Sequence, residues 1–203
     1  MVLVACSAQN LDRVVTVFRA ARRTGRSLVI DAYSAEILLA ANRASIPAPT
    51  AAWPDVKVFV PHKQRRMLAS GGRGALVNKY RHARIWPENL HLQSPKLVSI
   101  VGPWMLEELA QLGSLKGAGV IWSQWEGYLK NGPASSFKTP CGDLGLSFRQ
   151  IHTSGHASIP DLKRLVVAMS PKRLVPIHTF FPDQFPSLFN NVVPVKDGHW
   201  LEV

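Results

Sequence analysis

Two imidazoles and the hydroxyl of Ser154 crowd into the stretch Ile151-His152-Thr153-Ser154-Gly155-His156-Ala157-Ser158. An imidazole exchanges protons near neutral pH, donates to anions and ligates metals. Here the group falls where a strand is expected to end and a helix to begin. Ser158 has the side chain of an N-cap, Asp161 stands three residues on as a capping-box-like partner, and Pro160 fits the first turn. The free backbone N–H groups and the dipole of such a helix start favour an anion. His152, Ser154 and His156 are therefore candidate phosphate-site residues. His178 follows at the end of Leu174-Val175-Pro176-Ile177. The carboxyl ends of parallel strands share one edge, and ligands bind there, so His152 and His178 are expected to meet on it. An imidazole at a strand end suits zinc, and it equally suits a plain loop cap. His62, His82, His91 and His199 have no companion pattern.

The second chemical feature is charge. The 203 residues carry 24 Lys and Arg against 13 Asp and Glu, a net charge of +11. Each phosphate neutralised by such a surface releases a counterion, so the excess points to a nucleic acid before a small neutral metabolite. Between Asp55 and Glu88 there is no acid, while Lys57, Lys63, Arg65, Arg66, Arg73, Lys79, Arg81 and Arg84 all occur. Tyr80 and Trp86 in the same stretch are available to stack on bases. Lys63, Arg65 and Arg66 are the candidate phosphate contacts. Gly71-Gly72-Arg73-Gly74 reads as a loop, and neither G-x-G-x-x-G nor G-x-x-x-x-G-K-[ST] occurs, which removes the usual dinucleotide and P-loop chemistries.

These groups need elements to hold them. Short apolar runs at Val2–Cys6, Ser27–Ala32, Val56–Val60, Lys96–Val101 and Gly119–Trp122 alternate with helical spacing. Asn10 is placed to cap a helix through Leu11, Val14, Val15, Phe18 and Ala21, with Gly25 closing it. Ser34 is expected to open a second helix, and Pro103 to Leu112 a third ahead of Gly113. Residues 127–143, rich in Gly, Pro and Ser, read as a loop or domain junction. A strand at Ser147–His152, a helix at Ile159–Met169, a strand at Arg173–His178 and a terminal hairpin at Val192–Val203 around Asp197-Gly198 complete the pattern. The expected class is α/β, a mainly parallel sheet flanked by helices. Two cysteines cannot build a disulfide framework, so a reducing cytoplasm is the expected compartment. No apolar run approaches the ~18 residues of a membrane span. The N-terminus reads as a buried strand, as if a segment preceded it.

The run His-Thr-Ser-Gly-His-Ala at 152–157, a helix, then Pro-Lys-Arg-Leu-Val-Pro-Ile-His at 171–178 resembles the C-terminal part of the β-CASP nucleases of the metallo-β-lactamase fold, the family of ribonuclease J. VLVACSAQNLDRVVTVFRAARRTGRSLVIDAYSAEIL, near the N-terminus, resembles the start of the β-CASP domain. The resemblance implies a β-CASP domain over 1–140 and a C-terminal metallo-hydrolase, RNA-specificity segment over 141–203. It implies that His156 is the catalytic histidine that helps protonate the leaving group, that His178 is a zinc ligand, and that His152 and Ser154 belong to a phosphate-binding turn. The family's main zinc motif, H-x-H-x-D-H, does not occur, since no two of the seven histidines stand at i, i+2. The chain is thus expected to be the RNA-binding part of a zinc-dependent ribonuclease, inactive by itself, with the N-terminal metallo-β-lactamase half supplied in cis or in trans. Exposed strand edges would permit a homo-oligomer. The alternatives are a nucleic-acid-binding module without a metal centre, and an α/β enzyme of a small phosphorylated substrate.

Overall fold

Strand β1 (Val2–Ala5) lies inside a six-stranded sheet, and residues 1–153 are built around it. The computed structural model describes residues 1–130, 135–153 and 155–201. They fall into two compact units, Met1–Thr153 and Ser154–Val203. In the first unit β1 is followed by α1 (Leu11–Arg23), β2 (Ser27–Ile30), α2 (Ala32–Ala40) and β3 (Val56–Val58). Next come α3 (His62–Ser70), α4 (Ala75–Lys79), α5 (Pro87–Leu92), β4 (Leu97–Ile100), α6 (Pro103–Gln111) and β5 (Gly119–Trp122). The unit closes with α7 (Gly127–Lys130), α8 (Ser135–Asp143) and β6 (Ser147–Gln150).

The sheet order is β3-β2-β4-β1-β5-β6, and every pairing is parallel. From β1 the chain runs outward to β2 and β3, returns to insert β4 beside β1, then runs outward the other way. Right-handed crossovers in opposite directions put their helices on opposite faces. The apolar contacts follow. Val14 and Phe18 of α1 and Leu38 of α2 pack with Val4, Leu28, Ile30 and Val98 on one face. Leu106 and Leu109 of α6 and Phe137 of α8 pack with Leu3, Ala5, Val120 and Trp122 on the other. Successive strand residues point to opposite faces, so a strand covered on both must be apolar along its buried length, as β1 is throughout and β2 is after Ser27.

The caps explain the helix limits. Asn10 Oδ1 accepts from Arg13 N at 3.1 Å and starts α1. Gly25, φ +64°, turns the chain left-handed after the Thr24 cap, a conformation a Cβ would strain. In α2 the cap is Asp31, whose Oδ1 accepts from Ser34 N at 2.8 Å, so the helix begins before the expected Ser34.

Three expected elements differ. The stretch 127–143, expected as a loop, contains α7 and α8. Phe137 and Cys141, one helical turn apart, are buried against the sheet, with the Phe137 ring 5.5 Å from that of Trp122. That burial outweighs the Gly and Ser content and the missing N–H of Pro140. The strand expected at Arg173–His178 reduces to one parallel bridge, Leu174 to Val192. Pro176 has no N–H to extend the ladder. Among the described residues the hairpin expected at Val192–Val203 reduces to a turn at Asp197-Gly198, closed by His199 N on Lys196 O at 3.1 Å; Pro194 interrupts the first arm. The second unit therefore consists, among the described residues, of α9 (Ile159–Met169), this bridge and a 3-10 turn at Pro182–Ser187. β6, which the expected division assigned to the C-terminal segment, hydrogen-bonds along β5 in the first unit. No described helix is long and apolar enough to cross a membrane.

Both cysteines are free and buried. Burial pushes the Cys6 thiol up to about 11, against the opposing pull of Arg13, and burial raises Cys141 as well. A protonated thiol is a poor nucleophile. Iodoacetamide at pH 8 should leave both unmodified in the native chain and label both in denaturant. Rapid native labelling of Cys6 would contradict this placement.

Candidate functional site

The carboxyl ends of β1, β2, β4 and β5 surround a crevice of 190 Å3 lined by Ser7, Asp31, Tyr33, Gly102 and Gln124. It lies where the chain reverses direction across the sheet, the usual ligand position in such folds. Asp31, buried at its base, is committed to structure. Its Oδ1 caps α2, its Oδ2 accepts from Gln64 Nε2 at 2.8 Å, and Gln64 Oε1 accepts from Ala32 N at 3.1 Å. This pair ties α3 to the end of β2. Glu108 ties the same helix from another side, both carboxylate oxygens accepting from His62 N at 2.8 and 2.7 Å.

The fixed α3 carries Lys63, Arg65 and Arg66, all exposed around the buried Gln64 and Leu68. None of the three forms an ion pair among the described residues. Lys79, by contrast, is neutralised by Glu36 at 2.7 Å. The Tyr80 hydroxyl donates to the same carboxylate, and its ring is 1% exposed, so the expected stacking by Tyr80 is ruled out. Trp86 is 44% exposed with the Arg84 guanidinium 4.1 Å from its ring centroid. Burial and the neighbouring Arg65 pull Arg84 below its ordinary value, which marks a compact cluster of cations beside the indole.

At the end of β6, His152 and Thr153 are held by Arg13 from the first turn of α1. Arg13 Nη1 donates to Ser123 O and lies 3.0 Å from His152 Nδ1, while Nη2 donates to Thr153 O at 2.8 Å and Thr153 Oγ1 at 3.3 Å. A guanidinium has no acceptor, so Nδ1 accepts and the ring proton sits on Nε2. His152 is thereby presented as an oriented N–H donor. Sequence patterning passed over Arg13, since an arginine in a helix's first turn reads as solvent-facing; its only signal is a position just beyond the carboxyl end of β1.

In the second unit, Ser158 caps α9 as expected. Its Oγ accepts from Asp161 N at 3.4 Å and donates to Asp161 Oδ2 at 2.6 Å, so Asp161 answers the hydroxyl and not the backbone N–H of a standard capping box. The structure brings His156 and His178 together edge to face, ring centroids 6.0 Å apart, with His178 in the left-handed region at φ +56°. A non-glycine residue there stores backbone strain, a feature that clusters at ligand sites. Ser154 lies outside the described residues. Zinc hydrolase centres use three protein ligands and an open position. No three His, Cys, Asp or Glu side chains converge among the described residues, so these residues do not fit a complete zinc site. His178 supplies at most one ligand.

Residues 145–183 match the family model of the Zn-dependent metallo-hydrolase RNA specificity domain. The match identifies an RNA-specificity segment of the metallo-hydrolase type, covers about a fifth of the chain, and contains His152, His156 and His178. The whole chain is similar in fold to a solved protein of unknown function from Enterococcus faecalis V583, at 18% identity with a TM-score of 0.59. The similarity covers 98% of this chain and 40% of that one, so the chain spans about two fifths of the length of the structure it matches. No curated protein matches the chain.

The Arg13 contact makes a spectroscopic prediction. At alkaline pH, imidazole 15N spectra should show His152 protonated on Nε2 alone, and Arg13→Ala should return it to a mixture of the two neutral forms. A proton on Nδ1 in the parent chain would contradict the contact.

Proposed function

We propose that the chain is the RNA-binding, phosphate-site part of a β-CASP zinc-dependent ribonuclease, completed by a metallo-β-lactamase half in cis or in trans. The observation that carries this is the RNA-specificity match over 145–183, which contains the paired His156 and His178 and the capped start of α9. The cations of α3 and the Arg84–Trp86 pair hold the strand, phosphates on the guanidinium and ammonium groups and a base near the indole. Within the second unit the N–H groups at the start of α9 take a phosphate. Within the first unit the Nε2–H of His152 is a donor for a phosphate oxygen of the strand. His156 gives its proton to the departing oxygen. In the complete hydrolase zinc would supply an activated water, and His178 would be one of its ligands, the others coming from the metallo-β-lactamase half.

In the second unit Val167 is 78% exposed, Ile177 80% and Phe180 87%, apolar side chains open to contact with the metallo-β-lactamase half of this reading. The two free, buried thiols are in keeping with a reducing cytoplasm.

Two roles are separable by mutation. In the completed hydrolase, His156→Ala should lower turnover by a factor of about 10² to 10⁴ and leave RNA affinity nearly unchanged. Replacing Lys63, Arg65 and Arg66 by Ala should weaken binding for all sequences alike and flatten its salt dependence by about one unit of slope per lost contact. Normal turnover per folded His156→Ala molecule would remove it from the chemistry. The chain alone should bind RNA without chelator-sensitive cleavage; such cleavage would show that it carries a metal centre of its own and overturn its assignment as one part of the enzyme.

A further inference from the structure

A second surface, apart from the basic α3 and the histidines, is shaped to take a ligand. Along the outer side of α1 run two adjoining depressions of 860 and 510 Å3, which share Val15, Arg19 and Ser45. One wall is α1; the other is the connection from α2 to β3. The floor of the smaller depression is apolar, with Val15, Phe18, Pro47 and Trp53, the larger one is mostly polar, and the rim carries Arg19, Arg22, Arg23 and Arg43. Two acids lie close by: Asp12 at one end, and Asp55, which sits 3.6 Å from Arg22.

The groove is preformed. Its loop wall buries Ile46, Pro47, Ala48 and Pro49, and His82 Nε2 donates to Pro49 O at 2.9 Å. Trp53 is set edge to face on Phe18, ring centroids 5.3 Å apart, and its N–H group of the backbone donates to Thr50 O at 3.0 Å. Thirteen helical residues make α1 about 20 Å long, room for several nucleotides of single strand. Every rim cation is an arginine, which pairs with phosphate through a fork and stacks on planar groups. The groove also leads somewhere. Its end at Asn10 and Asp12 flanks the first turn of α1, the turn whose Arg13 holds His152 and Thr153.

We infer that this groove binds a second stretch of single-stranded RNA, phosphates along the arginine rim and a base against Trp53, continuing from the strand end that carries His152. The inference rests on the RNA-binding reading above and extends it to a surface on the α1 face of the sheet. An acidic peptide meets the same charge, but the aromatic floor and the continuity with the His152 turn favour RNA.

The test uses the full chain and single-stranded RNAs of about 4 and about 12 nucleotides, followed by fluorescence anisotropy across a salt series. Arg19 and Arg43 are exposed and outside every ion pair found among the described residues, so Arg19→Glu with Arg43→Glu should fold normally. This double variant should bind the longer RNA about tenfold more weakly, with a salt slope lower by about two, and bind the shorter RNA as before. Asp55→Asn, which frees Arg22, should tighten the longer RNA by about two- to threefold. Ultraviolet cross-linking of the parent chain should attach RNA to the tryptic peptide 44–57, which contains Trp53. If the parent chain binds the longer RNA but the variant binds it equally well and the peptide is never cross-linked, the groove assignment fails and the RNA-binding function stands. If the parent chain binds neither RNA, both fail. If polyglutamate binds the parent chain more tightly than RNA and the variant loses it, the groove is a protein-docking surface and the RNA inference is overturned.

Discussion

The position of β1 is the constraint on which the first unit depends. Its Val2, Leu3 and Val4 pair with Val98, Ser99 and Ile100 on one side and with Gly119, Val120 and Ile121 on the other. A strand hydrogen-bonded on both edges and covered on both faces has no route to water, so it must be apolar throughout and its exits must lie at the sheet's ends. The exit at Cys6 and Ser7 then opens into the crevice, and α1 starts there and runs back across one face. Moving β1 to an edge would separate Arg13 from the ends of β5 and β6 and dissolve the contact with His152.

Charge is distributed by the same scaffold. Of the acid-free run of cations, Lys79 is spent on Glu36, Arg84 lies over the exposed Trp86 without an ion pair among the described residues, and those of α3 stay in solvent. What keeps α3 in place is the buried Gln64–Asp31 hydrogen bond and the His62 N–H shared between both carboxylate oxygens of Glu108. The distinction is energetic. Exposed ion pairs contribute about 0–1 kcal/mol, whereas a buried carboxylate left without its donors costs several times that. The cations can therefore be used for a partner without loosening the fold that displays them.

The histidines illustrate two ways of fixing an imidazole. His152 is held by a guanidinium that can only donate, which sets the position of its proton. His178 is held by backbone conformation, at a positive φ that an ordinary residue adopts only where the surroundings impose it, and so presents its ring to His156. Both devices fix the orientation of a ring at a local cost in freedom.

From the sequence by itself came the α/β class, the five first strands to within about two residues, the Asn10 and Ser158 caps and the Gly25 turn, since each rests on periodicity or on a hydrogen bond between near neighbours. The histidine cluster and the basic stretch were legible too, being local patterns of residue type. What only the tertiary structure decided involves partners distant in the chain. Burial of Phe137 and Cys141 against the sheet made a helix of a stretch whose composition reads as loop. Burial of Tyr80 beneath Glu36 withdrew it from any base. Leu174 found its bridge partner at Val192, eighteen positions on, where the run's own periodicity gives no sign of it. Arg13 and His152 are 139 positions apart, a separation that no spacing pattern within one element reports. Sequence spacing reports which side chains share a face of one element; which elements lie side by side depends on the order of strands in the sheet, and that order is set by the summed burial of the whole unit.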